Sequence, residues 1–274
     1  MSYLDDLFGV AGKTALVTGG ATGIGRMIAT ALAHGGARVL IASRKGEDCQ
    51  IVAAEINASG PAGSVEGFGG DVGSAAGVEA LAAEVEKRTG ALHILFNNAG
   101  ITWGAELGKF PRTAWDKVFN VNVGGLFDLT QRLLPLMEAS TTQADPARVI
   151  NLGSVMGHWP LGDGAYSYSA SKAAVHHLTK ILAKELAPRH FTVNAFAPGP
   201  FQSKMTAFAT GSDAQAEAVG KGVPLGRIGA PGDIAGAALF LCSAGGAYVT
   251  GCILPLDGGL GVMTGGDLFD GGRD

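Results

Sequence analysis

Short, almost wholly apolar runs alternate with longer amphipathic segments along this chain, and that alternation constrains its fold more than any other feature. Residues 14–18 (TALVT), 38–42 (RVLIA), 65–68 (VEGF), 93–97 (HILFN), 148–152 (RVINL), 192–196 (TVNAF) and 252–255 (CILP) read as seven strands. Successive side chains of a strand point to opposite faces, so runs that are apolar at nearly every position suit strands covered on both sides. Between them, 24–34, 78–89 and 166–186 carry apolar residues at helical spacing. Such alternation implies right-handed βαβ units around one parallel sheet. The expected fold is therefore α/β: a doubly wound, Rossmann-like, seven-stranded sheet with helices on both faces. Gly35-Gly36 and Gly90 stand where helix C-caps are expected, and Pro111 and Pro231 where helices open. With no linker or internal repeat, we expect one domain over 1–274, with its core at 9–260 and a Gly- and Asp-rich tail at 261–274.

Composition removes several classes of function. A net charge of −4 with no basic stripe argues against nucleic acid as a partner. Cys49, Cys242 and Cys252 are too few and too scattered for a disulfide framework, which favours a reducing compartment. The first ten residues carry Asp5 and Asp6 and no signal-peptide pattern, and no apolar run approaches the ~20 residues of a membrane span. We expect a soluble, cytoplasmic protein with no membrane partner. No metal is expected either. His176 and His177 are adjacent, so on a helix they diverge by about 100°, and no cysteine pair has ligand spacing.

The first strand runs directly into Thr18-Gly19-Gly20-Ala21-Thr22-Gly23-Ile24-Gly25, which opens a helix. Glycines there permit a tight turn and let backbone N–H groups approach a pyrophosphate at the helix N-terminus. The spacing differs from G-x-G-x-x-G, and only the strand–turn–helix context gives it weight. The end of the second strand should face the adenosine ribose, where an acid selects NAD and a basic residue accommodates a 2′-phosphate. Ser43-Arg44-Lys45 stands there, with no acid before Glu47, so NADP(H) is expected over NAD(H). A solvated surface arginine would look the same in sequence. Asn97-Asn98-Ala99-Gly100 ends the fourth strand and Gly153-Ser154 the fifth. Tyr168 and Lys172 follow at i and i+4, neighbours on one helix face. A nearby ammonium favours the ionised phenol, and poising a group of pKa near 10 at neutrality takes about 4 kcal/mol. Lys172 and a positive nicotinamide ring are the expected sources. Tyr166 is a rival phenol, but its i+4 neighbour is Ala170.

In this order and combination, the glycine turn, Asn97–Gly100, Ser154, Tyr168-x-x-x-Lys172, Pro198-Gly199 and Asp257-Gly258-Gly259 resemble the short-chain dehydrogenase/reductase family over about residues 9–260. The resemblance implies an NAD(P)-dependent oxidoreductase with a catalytic tetrad of Asn122, Ser154, Tyr168 and Lys172. It also implies that Asp71 and Val72 lie near the adenine, with Asn98, Ala99 and Gly100 along the cofactor. Asn122, in Val121-Asn122-Val123, would sit in the long helix after strand four. A capping or core amide is the other reading of that residue. Two positions depart from the family's pattern. Thr22 stands where many NADP-using members have a basic residue, leaving Arg44 to carry the preference. Ser203 replaces the usual Thr that contacts the nicotinamide carboxamide. The stretches 148–157 and 198–206 look most like bacterial β-ketoacyl reductases, including the type linked to rhamnolipid synthesis. The resemblance further implies a homotetramer, or a dimer, with interfaces on the helices at 114–137 and 166–186 and on the last strand and tail.

The leading expectation is an NADPH-dependent ketone or β-ketoacyl reductase. Ser154 and Tyr168 would polarise the carbonyl, Tyr168 would donate its proton, Lys172 would hold the ribose, and Asn122 would position a relay water. The competing readings are an NAD-dependent alcohol, polyol or steroid dehydrogenase, and a non-catalytic dinucleotide sensor, although no tetrad position is lost. A hydrolase is disfavoured because Ser154 lacks a G-x-S-x-G elbow. Loops 101–109, 156–165 and 200–222 carry Trp103, Trp159, Leu161, Phe201, Met205 and Phe208. These residues either select a hydrophobic substrate or pack the loops onto the core.

Overall fold

The computed structural model describes residues 2–203 and 205–263. Its seven strands are β1 (Thr14–Thr18), β2 (Arg38–Ser43), β3 (Ser64–Gly69), β4 (Ile94–Asn97), β5 (Ala147–Leu152), β6 (Phe191–Pro198) and β7 (Ile253–Leu256). They form one parallel sheet in the order β3-β2-β1-β4-β5-β6-β7. All seven expected strands are present, with ends shifted by at most two residues. Among the described residues, ten α-helices accompany them: α1 (Tyr3–Phe8), α2 (Gly23–His34), α3 (Gly46–Ala58), α4 (Ala75–Arg88), α5 (Arg112–Phe119), α6 (Gly125–Glu138), α7 (Tyr166–Leu186), α8 (Ala207–Thr210), α9 (Asp213–Gly220) and α10 (Pro231–Cys242).

The apolar runs divide between two cores by alternation. Ala15, Val17, Val39, Ile41, Ile94 and Phe96 face Ile28 and Leu32 of α2 and Ile234 and Leu241 of α10. Their strand neighbours Leu16, Leu40, Leu95, Val149 and Val193 face Leu81 of α4, Leu129 of α6 and Leu182 of α7. Strand order reverses between β1 and β4, which opens a crevice at the carboxyl ends of the strands, the usual ligand site of such sheets.

Three local expectations need correction. Gly36 does take the left-handed conformation after α2 (φ 95°), but Gly90 does not cap α4. Thr89 is the C-cap there, extended, with its hydroxyl donating to Ala91 O. Helix α4 also starts three residues before 78, because Ser74 accepts the Gly77 N–H as its N-cap. The expected long helix after β4 is interrupted: a π-helical turn, Asn120–Gly124, separates α5 from α6. Pro231 begins α10, whereas Pro111 is the N-cap of α5. Beyond residue 263, the expected tail lies outside the described residues.

A buried polar ladder crosses the sheet beneath the crevice. Asn97 Nδ2 donates to Thr130 Oγ1 of α6 and to Asn151 Oδ1 of β5, each at 3.0 Å. Asn151 Nδ2 in turn donates to Thr179 Oγ1 of α7, at 3.0 Å. Asn151→Ala opens a cavity and strands partners in a dry interior, so we expect a loss of about 2–4 kcal/mol, read from the urea midpoint at unchanged m-value.

Candidate active site

The glycine turn is moulded against the neighbouring strand end. Gly19 and Gly23 have positive φ (66° and 51°). A Cβ on Gly25 would lie 2.4 Å from Gly19 O and from Asn98 Nδ2, so this backbone admits no side chain there. Asn98 Nδ2 donates to Thr18 O (2.8 Å) and Gly19 O (3.2 Å), while Thr18 Oγ1 accepts the Asn98 and Ala99 N–H groups. Thus β1 and β4 hold the turn in place, and the N-terminus of α2 faces the crevice. A glycine turn packed this closely on Asn98 and Ser203, leading into a helix N-terminus at the crevice, fits a dinucleotide pyrophosphate.

Two adjoining cavities share Gly19, Ala99 and Gly100. The smaller, about 140 Å³, brings together Ser43, Arg44, Asp71 and Val72. Arg44 is exposed at its rim, with no ion pair among the described residues. The larger, about 210 Å³, collects Thr22, Gly23, Ile24, Asn98, Ser154, Tyr168, Lys172, Pro198, Gly199 and Ser203. Gly25 and Asn122 line neither. Gly25 lies beneath the turn, and Asn122 stands behind Gly100, whose Cβ would meet Asn122 Oδ1 at 3.3 Å and Lys172 Nζ at 3.6 Å. The sequence reading missed Thr206, which lines the larger cavity and whose N–H donates to Ser203 Oγ. A hydroxyl three residues beyond Ser203 was its only trace.

Asn122 sits in the π-helical turn, not in a regular helix, and is 1% exposed. Its amide donates to Ile101 O and Ser171 Oγ, and its Oδ1 accepts the Ile101 N–H. Both amide protons are therefore spent on bracing the loop after β4 against α7. Ser154 caps the short turn Val155–Gly157, its Oγ accepting the Met156 N–H at 3.1 Å. That bond occupies a lone pair and leaves the hydroxyl proton free to be donated.

Lys172 is 5% exposed, and its Nζ donates to Leu152 O at 2.6 Å, 5.6 Å from the Tyr168 ring centre. Burial pulls its pKa from 10.5 down to about 8. The chain's own groups raise the Tyr168 pKa from its usual value: burial raises it, with the Ser154 hydroxyl opposing. Desolvation of the phenolate outweighs that hydrogen bond, so these groups keep the tyrosine protonated at neutrality.

The apolar loop residues divide between the two readings. Phe201 is core, packed so closely on Gly229 that a Cβ there would lie 2.1 Å from its ring. Met205 lines the larger cavity, and Trp103, Trp159, Leu161, Met205 and Phe208 are all exposed. Loops 101–109 and 156–165 are joined where Ala105 N–H donates to Gly164 O. Among the described residues, no helix is long and apolar enough to cross a membrane, and no three His, Cys, Asp or Glu side chains group to hold a metal.

A family model described as "Enoyl-(Acyl carrier protein) reductase" matches residues 19–261. The chain is 44% identical to the rhamnolipids biosynthesis 3-oxoacyl-[acyl-carrier-protein] reductase of Pseudomonas aeruginosa, over 92% of this chain and 97% of that one. It is 36% identical to the 3-oxoacyl-[acyl-carrier-protein] reductase FabG of Thermotoga maritima, over 91% and 98% respectively. Among solved structures, the Pseudomonas aeruginosa RhlG/NADP active-site complex superposes with a TM-score of 0.88 at 44% identity, covering 93% of this chain and 98% of that one.

The buried ammonium makes the site costly to keep folded. Lys172 has a folded pKa below its unfolded value. The penalty is therefore fully present below about pH 8 and relieved as pH rises toward 10.5, where the unfolded chain binds the additional proton. The shift corresponds to about 3 kcal/mol, less what is lost at Leu152 O. Lys172→Met should stabilise the cofactor-free protein by about 1–3 kcal/mol at pH 7, a gain that shrinks at pH 9.5. Denaturant midpoints at the two pH values check both the sign and the window.

Proposed function

Because the chain belongs to the short-chain dehydrogenase/reductase family, we propose that it is an NADPH-dependent carbonyl reductase converting a ketone or β-ketoacyl group to an alcohol. The observation that carries this reading is the convergence of Ser154, Tyr168 and Lys172 with the glycine turn on one cavity, where burial keeps the phenol in its proton-bearing form. A protonated tyrosine is the state that reduction consumes, whereas oxidation would begin from the phenolate.

In the proposed mechanism, the Ser154 hydroxyl donates to the substrate carbonyl oxygen, its acceptor side being held by Met156 N–H. Tyr168 donates its proton to the developing alkoxide. Lys172 orients the nicotinamide ribose from its seat at Leu152 O. For Asn122 we propose bracing in place of the expected water-holding role, because both of its amide protons are committed. When bound, the reduced nicotinamide supplies the hydride. Gly19, Thr22, Gly23, Ile24 and Gly25 would form its pyrophosphate seat, and Ser43 and Arg44 would meet the 2′-phosphate. Asp71 and Val72 would flank the adenine, Asn98, Ala99 and Gly100 would line the ribose path, and Pro198, Gly199, Ser203 and Thr206 would face the carboxamide. NADP(H) is favoured by Arg44 and by the absence of any acid before Glu47. It is also the cofactor named with the Pseudomonas aeruginosa structure.

The exposed tryptophans suit a hydrophobic substrate. A homotetrameric assembly in the cytoplasm is part of the proposal. It is supported by the position of β7 at the end of the sheet and the exposed Tyr166 and Ile181 of α7, and by two buried cysteines and one half-buried one, all free thiols.

Titration of the purified protein with NADPH and NADH, followed by cofactor fluorescence, tests the cofactor. We expect tighter NADPH binding, with at least about tenfold of the preference lost in Arg44→Ala, the scale of one charge-assisted hydrogen bond. Preference for NADH would overturn the Arg44 assignment. Tyr168→Phe preserves shape and removes the proton donor. Reduction of β-ketoacyl thioesters should fall at least about 10²-fold, and a variant within a few-fold of wild type would sink the acid assignment.

A further inference from the structure

Helix α7 carries a third titratable side chain on the face that bears Tyr168 and Lys172. His176 follows Lys172 at i+4, which puts the phenol, the ammonium and the imidazole on one stripe, a turn apart. It is 4% exposed, whereas the adjacent His177 faces solvent.

The surroundings of the ring are specific to the Ser154 turn. A Cβ on Gly153 would lie 2.2 Å from His176 Nε2, and one on Gly157 would lie 2.6 Å from its Cε1. The chain segment that presents Ser154 is thus wrapped around the imidazole, and its two glycines are the positions where the backbone touches the ring. The Ser154 N–H donates to Nε2 at 3.4 Å, a long bond but the only hydrogen bond of that nitrogen among the described residues. Nδ1 is buried with no hydrogen-bond partner among the described residues. The His158 ring lies alongside, with centroids 4.2 Å apart. A core residue selected for packing alone would not leave a polar nitrogen stranded, since a leucine would fill the space without that cost.

We propose that His176 is a positioning residue for Ser154: its neutral imidazole, seated between Gly153 and Gly157 and accepting the Ser154 amide proton at Nε2, fixes where the serine hydroxyl meets the substrate carbonyl. The inference rests on the proposed carbonyl reduction and adds a residue to it. Tyr168 comes directly from α7, and Ser154 comes from the end of β5 but is set by the same helix through His176. One rigid element therefore establishes the spacing of both groups that would hold the carbonyl oxygen. Burial, reinforced by the charges of His158, Lys172 and Lys180, pulls the His176 pKa to about 4, so the accepting lone pair is retained at neutral pH. The bond requires the Nδ1–H tautomer, because an imidazolium or an Nε2–H ring has no lone pair to offer at Nε2.

Two measurements test this. Nitrogen-15 shifts of His176 in the cofactor-free protein at pH 7 should show a protonated Nδ1 and a bare Nε2. The other tautomer, or an imidazolium, would overturn the proposal whatever the activity. In kinetics with NADPH and acetoacetyl-CoA as the probe carbonyl, His176→Leu should lose about tenfold or more in kcat with NADPH affinity within twofold. His176→Gln, whose Oε1 reaches the Nε2 position, should recover to within about threefold of wild type. A leucine variant with unchanged kcat, or a glutamine variant that falls as far as leucine, would reduce His176 to packing. Wild-type protein that binds NADPH but reduces no carbonyl would instead fail the reductase reading, and the tautomer measurement would then decide the His176 bond by itself.

Discussion

The ladder Thr130–Asn97–Asn151–Thr179 is the interaction on which the site's geometry depends. It ties α6, β4, β5 and α7 through buried side chains, and each end is anchored, with Thr130 Oγ1 donating to Leu126 O and Thr179 Oγ1 to Val175 O. Apolar packing between a helix and a sheet tolerates small slides, because one methyl contact substitutes for another. Hydrogen bonds in a dry interior do not, since a slide of an ångström leaves donors unpaired. The ladder therefore selects one register for the two helices flanking the crevice. That register places Lys172 beside Leu152 O and puts Asn122 against Ile101 and Ser171.

Above the ladder, the protein accumulates polar groups that oppose folding. Lys172 and Tyr168 are both desolvated, and His176 holds an unpaired nitrogen. Two continuous apolar cores, one on each face of the sheet, offset these costs. Part of this polar load sits at the carboxyl ends of the strands, where the crevice opens; another part, the buried Arg148 and Thr192, lies at the starts of β5 and β6.

How far the sequence disclosed this arrangement depends on the range of the interactions involved. The central strands, covered on both faces, announce themselves as nearly unbroken apolar runs, and the edge strands β3 and β7 were legible from their places in the alternation. Tyr168 and Lys172 were legible for a similar reason, since an i, i+4 pair is a local statement about one helix face. The π-helical turn at Asn120–Gly124 was not, because its residues are unremarkable in composition and the extra residue per turn is held by contacts with Ile101 and Ser171 from elsewhere. The seating of His176 between Gly153 and Gly157 was hidden in the same way, across about 20 residues of chain. The opposing effect of burial on Tyr168 was not legible either, because sequence reveals a neighbouring charge but not the depth at which a phenol sits.

The burial of Tyr168 bears on the proton transfer of the proposed reduction. A phenol lowered to neutrality by Lys172 alone would exist as a mixture of acid and base and would serve oxidation and reduction alike. The structure instead raises Tyr168 and lowers Lys172, so desolvation moves both groups toward neutral forms. A neutral phenol donates a proton without first acquiring one. The alkoxide of the product is more basic than any phenolate, so the transfer runs downhill even from an acid of raised pKa. The same burial would penalise the phenolate from which oxidation starts. It leaves that direction dependent on a positive charge brought in from outside the chain, such as the oxidised nicotinamide ring. In the proposed reduction, the proton-bearing state of Tyr168 therefore comes from its burial in the crevice.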